Sequence, residues 1–229
     1  MKLGRRHEEV SLAPICPNYA NLVNDLLAEL QEFSYKGEFV GMRFLEKRRV
    51  FFSPPPSTDV LCTKLGRFYK RIVASLLSVQ NKSLLLDDTP WNILFLPQIL
   101  RLDDSVRCIH IYRDPRDVVA SFSAQVWMPN DLLRCARIYR AIMAQWFEIR
   151  KQIPAGVVFE VSLEHLAASP ESVLGAVCDF LRIPWDPALL GIEFNRTHAG
   201  RWKTDFTVDQ RESICKVLDP IIEALKYPR

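Results

Sequence analysis

Cys108-Ile109-His110-Ile111-Tyr112-Arg113-Asp114-Pro115-Arg116-Asp117-Val118-Val119-Ala120-Ser121 reads as a strand, a sharp turn and the start of a helix. Asp114 suits the helix cap and Pro115 the first helical position. Asp117 follows three residues after the cap, where a carboxylate favours the positive helix end. Two residues exceed ordinary helix entry. Arg113 stands at the carboxyl end of a buried strand, where open α/β sheets place their ligands, and Ser121 lies about two turns into the next helix. A guanidinium offers a planar fork of donors suited to a phosphate, and a hydroxyl adds another donor. The pair is expected to grip one phosphate from two sides.

Outward from this stretch, apolar residues recurring three or four apart predict helices over Asn21 to Phe33, Leu65 to Val79, Leu132 to Ile149 and Val208 to Leu225. In the third, Leu132, Leu133, Ile138, Tyr139, Ile142, Met143, Trp146 and Phe147 form a wide apolar face of the kind that packs into a core. Ser169-Pro170-Glu171 and the capping box Thr207-x-x-Gln210 mark two helix starts. Short apolar runs over Ser83 to Leu86, Cys108 to Tyr112 and Val157 to Val161 alternate with these helices, as buried strands of a parallel sheet do. Loops are expected at Ser53 to Ser57, Pro184 to Pro187 and Asn195 to Asp205.

The strand–turn–helix resembles the 3′-phosphate motif of the sulfotransferase superfamily, in which an arginine ends a strand and a serine follows eight residues later. The resemblance implies that Arg113 and Ser121 bind the 3′-phosphate of the donor 3′-phosphoadenosine 5′-phosphosulfate. Upstream, Leu86-Asp87-Asp88-Thr89-Pro90-Trp91 looks like the family's E-K-T-P segment. Downstream, Val161-x-Leu163-Glu164-x-Leu166, then Ser169-Pro170-Glu171, then Phe180-Leu181-x-Ile183-Pro184-Trp185 look like its "YEDL" strand, following helix and "FLGLPW" turn. Ala199-Gly200-Arg201-Trp202-Lys203 resembles the C-terminal G-x-W-[KR] loop, which makes Arg196, Arg201, Trp202 and Lys203 candidate nucleotide contacts. The likeness runs from about Leu84 to Tyr227 and is weak over residues 1 to 80.

The implied fold is α/β: a three-layer P-loop-like sulfotransferase fold with a central parallel sheet and flanking helices, as a single domain over residues 1–229. The implied activity is sulfuryl transfer from the nucleotide to a hydroxyl or amine of an acceptor. The family's glycine-rich turn for the 5′-phosphosulfate is not found in the sequence, and no Gly-x-x-x-x-Gly-Lys-Ser/Thr occurs. The chain is therefore expected to be truncated at its N-terminal side, beginning after that strand, loop and helix. Asp88 replaces the lysine of E-K-T-P, and Leu163 the tyrosine of "YEDL". Group transfer of this kind depends on positioning and on cationic stabilisation of spreading charge, which a carboxylate at Asp88 opposes. These departures keep a second reading open, a non-catalytic binding or scaffold protein with the same fold. Asp87, aligned with the glutamate of E-K-T-P, is the candidate general base, and a turn cap is its alternative role. His110 reads as a core histidine, while His7 and His165 have no partners at metal spacing, so no metal is expected.

Composition agrees with an ordinary folded protein: 229 residues, 48% hydrophobic and 25% charged. Six scattered cysteines without a C-x-x-C pair are expected to be reduced thiols. A net charge of +3 and a pI near 8.5 are too mild for a nucleic-acid partner. No apolar run of transmembrane length and no signal peptide are visible, so the visible chain suits the cytoplasm; an upstream anchor would place it in the Golgi. A kinase catalytic loop, suggested by Tyr112-Arg113-Asp114, fails for want of D-F-G and a glycine-rich loop.

Overall fold

The computed structural model describes residues 15–30, 38–39, 42–43, 57–194 and 199–228. Backbone contacts divide the chain into two units, Met1–Pro90 with Gln98–Ser105, and Trp91–Pro97 with Val106–Arg229. Arg196, His7, His198 and the prolines of the Ser53 to Ser57 loop lie outside the described residues.

In the first unit, helix α1 (Tyr19–Leu30) packs on α2 (Thr58–Gln80), and the short strands β1 (Glu38–Phe39) and β2 (Met42–Arg43) pair antiparallel. The Ser57 hydroxyl caps α2 by accepting from the Val60 amide at 3.3 Å. Asn81 ends it in the left-handed region at φ 49°, a conformation asparagine tolerates better than most residues. The predicted start of this helix at Leu65 falls short by two turns, because the cap at Ser57 brings Thr58 to Lys64 into it. Gly66 is buried in mid-helix, and a Cβ there would overlap the Leu102 carbonyl oxygen. That close approach requires glycine despite its cost of about 1 kcal/mol in a helix interior.

The expected strand at Ser83 to Leu86 does not form. The segment has no strand partner among the described residues, and Leu84, Leu85 and Leu86 are 59%, 47% and 85% exposed. An apolar run becomes a strand only where a neighbouring edge accepts its backbone hydrogen bonds, and none does so among the described residues. A 3-10 stretch (Pro90–Phe95) and α3 (Leu96–Leu102) follow.

In the second unit, β3 (Cys108–Tyr112) and β4 (Val158–Ser162) pair in parallel, in register from Cys108↔Val158 to Tyr112↔Ser162. Parallel neighbours need a long crossover, and here it carries α4 (Pro115–Ser123) and α5 (Leu132–Arg150). After β4 come α6 (Leu163–Ala168), α7 (Pro170–Leu181), a 3-10 turn (Pro187–Gly191), α8 (Trp202–Asp205) and α9 (Val208–Ala224). Helix α5 packs against both α4 and α9. The seam holds Cys135, Tyr139, Met143 and Trp146 of α5 with Ile214, Leu218, Ile221 and Ile222 of α9, all buried, each set spaced at helical period. The buried stripe of α5 is thus rotated from the face expected, since Cys135 and Ala136 are inside while Leu132, Leu133, Ile138 and Phe147 are half-buried. The capping box at Thr207 and Gln210 forms as expected. Ser169 stands at the α7 cap without a side-chain cap bond, and it also closes α6 through its amide to the His165 carbonyl at 2.9 Å. All six cysteines are free, three of them buried.

Register sets His110 opposite Glu160 on the sheet face that meets α5. One oxygen of Glu160 lies 3.1 Å from His110 Nδ1 and accepts from Trp146 Nε1 at 3.3 Å. The other lies 3.5 Å from Arg150 Nε. The His110 bond, foremost, holds the Glu160 carboxyl below its ordinary range against the opposing effect of burial; the Trp146 bond and the Arg150 charge act in the same direction. A carboxyl whose folded pKa is depressed contributes stability that is fully present above its unfolded value, about 4.3, and lost as pH falls through the folded value. Melting temperature is therefore expected to drop more steeply below about pH 4.3 in the wild type than in Glu160→Gln. Parallel melting curves for the two proteins across that range would rule out this contribution.

Candidate functional site

Arg113 leaves the tip of β3 half-buried, and its guanidinium turns onto α4: Nη2 donates to the Asp117 carbonyl at 3.0 Å. In an α-helix that carbonyl is also the acceptor for the amide four residues on, which belongs to Ser121. Positions four apart share one helix face, so the Ser121 side chain stands one turn along from Asp117. Ser121 is half-buried, with no side-chain hydrogen bond among the described residues. The two residues read from the sequence are thus brought to the same turn of α4.

The turn itself is held from several sides. The Asp114 carboxylate accepts from the Arg116 amide at 2.9 Å, which is the expected cap. It also accepts from the Arg116 side chain, from Nε at 2.9 Å and from Nη2 at 2.7 Å. Burial alone would lower the Arg116 pKa, but the hydrogen bond and charge of Asp114 raise it above its ordinary value. Arg116 further donates to the Pro228 carbonyl at 2.8 Å and stacks over the Trp202 ring at 4.1 Å. Glu164 accepts from the Asp114 amide at 3.1 Å and from the Tyr227 hydroxyl at 2.7 Å. Burial, then this bond and the charge of Glu164, push the Tyr227 phenol well above its ordinary pKa.

The C-terminal loop reaches the same turn. Asp117 is 2% exposed, and its two oxygens accept from the Gly200 amide at 2.7 Å and the Trp202 amide at 3.0 Å. Gly200 sits at φ +79°, a region that favours glycine. Of the loop's basic side chains, Arg201 is paired through Nε with Asp205, whereas Lys203 lies 5.7 Å from the Trp202 ring centroid. No carboxylate pairs with Lys203 among the described residues. Asp87 belongs to the other unit, where it is exposed and its carboxylate accepts from the Thr89 amide at 2.9 Å, the turn-cap role. His110 is a largely buried strand residue, as read from its alternation. Among the described residues no cluster of His, Cys, Asp and Glu is placed to hold a metal.

The sequence profile described as the sulfotransferase family matches residues 16–187. The chain belongs to this family. Among solved structures, it is similar to the sulfotransferase domain from the curacin biosynthetic pathway, with 17% identity, 69% of this chain and 68% of that one covered, and a TM-score of 0.54. It is also similar to the sulfotransferase domain from the Synechococcus PCC 7002 olefin synthase, with 21% identity, coverage of 93% and 72%, and a TM-score of 0.47. No curated protein matches by sequence. The matched stretch includes Asp87, Arg113 and Ser121 and ends before the C-terminal loop. The contact of this loop with α4 comes from the tertiary structure. Sequence reading gave Arg116 and Glu164 no role at the site; Glu164 carried a signal in the "YEDL"-like segment, but the partners of Arg116 lie too far along the chain to leave one.

Proposed function

We propose that this sulfotransferase-family chain transfers a sulfuryl group from 3′-phosphoadenosine 5′-phosphosulfate to a hydroxyl or amine of an acceptor, and that Arg113 and Ser121 hold the donor's 3′-phosphate. The observation that carries this reading is the contact of the Arg113 guanidinium with the Asp117 carbonyl, on the helical turn that bears Ser121. A guanidinium has five N–H donors, and one of them is engaged in this contact; the rest of the fork, with the Ser121 hydroxyl, suits a phosphate. These residues thus fit the 3′-phosphate of the nucleotide. Lys203, and Arg201 on release from Asp205, would add positive charge beside it, with Trp202 offering an aromatic face. The nucleotide, when bound, supplies the activated sulfuryl group. Arg196 is a further phosphate partner in this reading.

Calorimetric titration with adenosine 3′,5′-bisphosphate tests the assignment. Arg113→Ala is expected to weaken binding by about 1.5–3 kcal/mol, the scale of a charge-assisted contact, or roughly 10- to 150-fold. Adenosine 5′-phosphate, which lacks the 3′-phosphate, should bind wild type and variant alike. Equal affinity of the two proteins for the bisphosphate would refute the role of Arg113.

A further inference from the structure

We infer that Asp117 is a positioning residue for the nucleotide site: its carboxylate fixes the C-terminal loop in place against the turn of α4 that Arg113 contacts and that leads to Ser121. This rests on the proposed nucleotide reading and adds a residue that does not itself touch the ligand. Three contacts converge on Asp117. Its carbonyl takes the Arg113 guanidinium, its side chain takes the amides of Gly200 and Trp202, and Ser121 follows it by one helical turn. The amides of Gly200 and Trp202 flank Arg201 in sequence, so the carboxylate sets the backbone from which Arg201 and Lys203 project.

The chemistry demands a carboxylate. Asp117 is buried, and both oxygens are used as acceptors by backbone donors more than 80 residues away in sequence. An amide of the same shape offers one acceptor and one NH2 group. In Asp117→Asn, one loop amide must face a donor, and the loop loses its seat while the space stays filled. The first-turn position explains why a buried carboxylate is tolerated, since the helix N-terminus and two N–H groups offset its charge. Gly200 is the other half of the device, because its positive φ lets two amides so close in sequence converge on one carboxylate.

The test uses the full chain, adenosine 3′,5′-bisphosphate as the probe, and hydrogen exchange. Asp117→Asn is expected to weaken the bisphosphate about tenfold and to speed exchange at the amides of Gly200 and Trp202, with the melting temperature lowered by only a few degrees. Gly200→Ala, which acts from the loop side, should weaken binding to a similar degree. If the two act through one contact, the double variant binds no more weakly than the weaker single one. Donor KM should rise in both variants while kcat at saturation is kept, which loss of global stability does not produce. Wild-type affinity in Asp117→Asn despite faster exchange overturns the proposal and leaves the nucleotide reading standing, as do fully multiplicative effects in the double variant. If Asp117→Asn does not fold, Gly200→Ala decides alone, and unchanged affinity there overturns it. Absence of bisphosphate binding by the wild type overturns the nucleotide reading and this inference with it.

Discussion

Arg116→Ala is expected to destabilise the second unit by about 3–5 kcal/mol, the usual result of removing one partner of a buried ion pair. Arg116 is 3% exposed and the Asp114 side chain 11%, so water is poorly placed to replace the guanidinium once it is gone. The substitution leaves the Asp114 carboxylate with the Arg116-position amide as a remaining donor and releases the Pro228 carbonyl from the turn. It also removes the cation from the Trp202 ring, so three segments distant in sequence lose one common anchor. Urea unfolding should show a midpoint shift of that size at unchanged slope. Arg116→Lys should recover only part of it, because an ammonium cannot reproduce a bidentate fork. A loss below about 1 kcal/mol for Arg116→Ala, the range of an exposed ion pair, would show that the pair is solvated.

Trp146→Ala should cost a similar amount, about 3–5 kcal/mol, through a different mechanism. Trp146 of α5 has 0% relative exposure, and its ring meets the His110 ring of β3 edge-on at 5.1 Å. Truncation opens a large cavity there and also withdraws the indole donor from Glu160. Trp146→Phe separates these effects, since it keeps most of the volume and loses the hydrogen bond, worth about 0.5–1.5 kcal/mol because Glu160 is partly exposed and keeps His110 as a partner. Unfolding midpoints for the two variants that coincide would show that cavity formation contributes nothing, contrary to the packing described.

Much of the architecture was legible in local sequence. The strand Cys108–Tyr112 matches its expected bounds, Val158–Ser162 is displaced by one residue, and the long helices α5 and α9 begin where apolar period and caps place them. The Ser83 to Leu86 run shows the limit of such reading. Its leucines satisfy the pattern of a buried strand but stand exposed, because pairing is supplied by a neighbour and not by the run itself. The candidate site divides in the same way. Arg113, Asp114, Pro115 and Ser121 could be read together because eight residues of strand tip and helix place them. Asp117, read there as a charge favouring the helix end, stands in that first turn and also accepts from two amides 83 and 85 residues further on.

Hydrophobic period, helix caps and one ordered set of short motifs were sufficient to establish the α/β class, the parallel strand pair and the family, since each depends on residues within a few turns of one another. Which oxygen of Asp117 meets which amide, and that Arg116 joins the turn to Trp202 and Pro228, depended on contacts closed across the whole second unit. Such contacts form only when burial removes water as the competing partner, and no local pattern in the chain encodes the distance over which that happens.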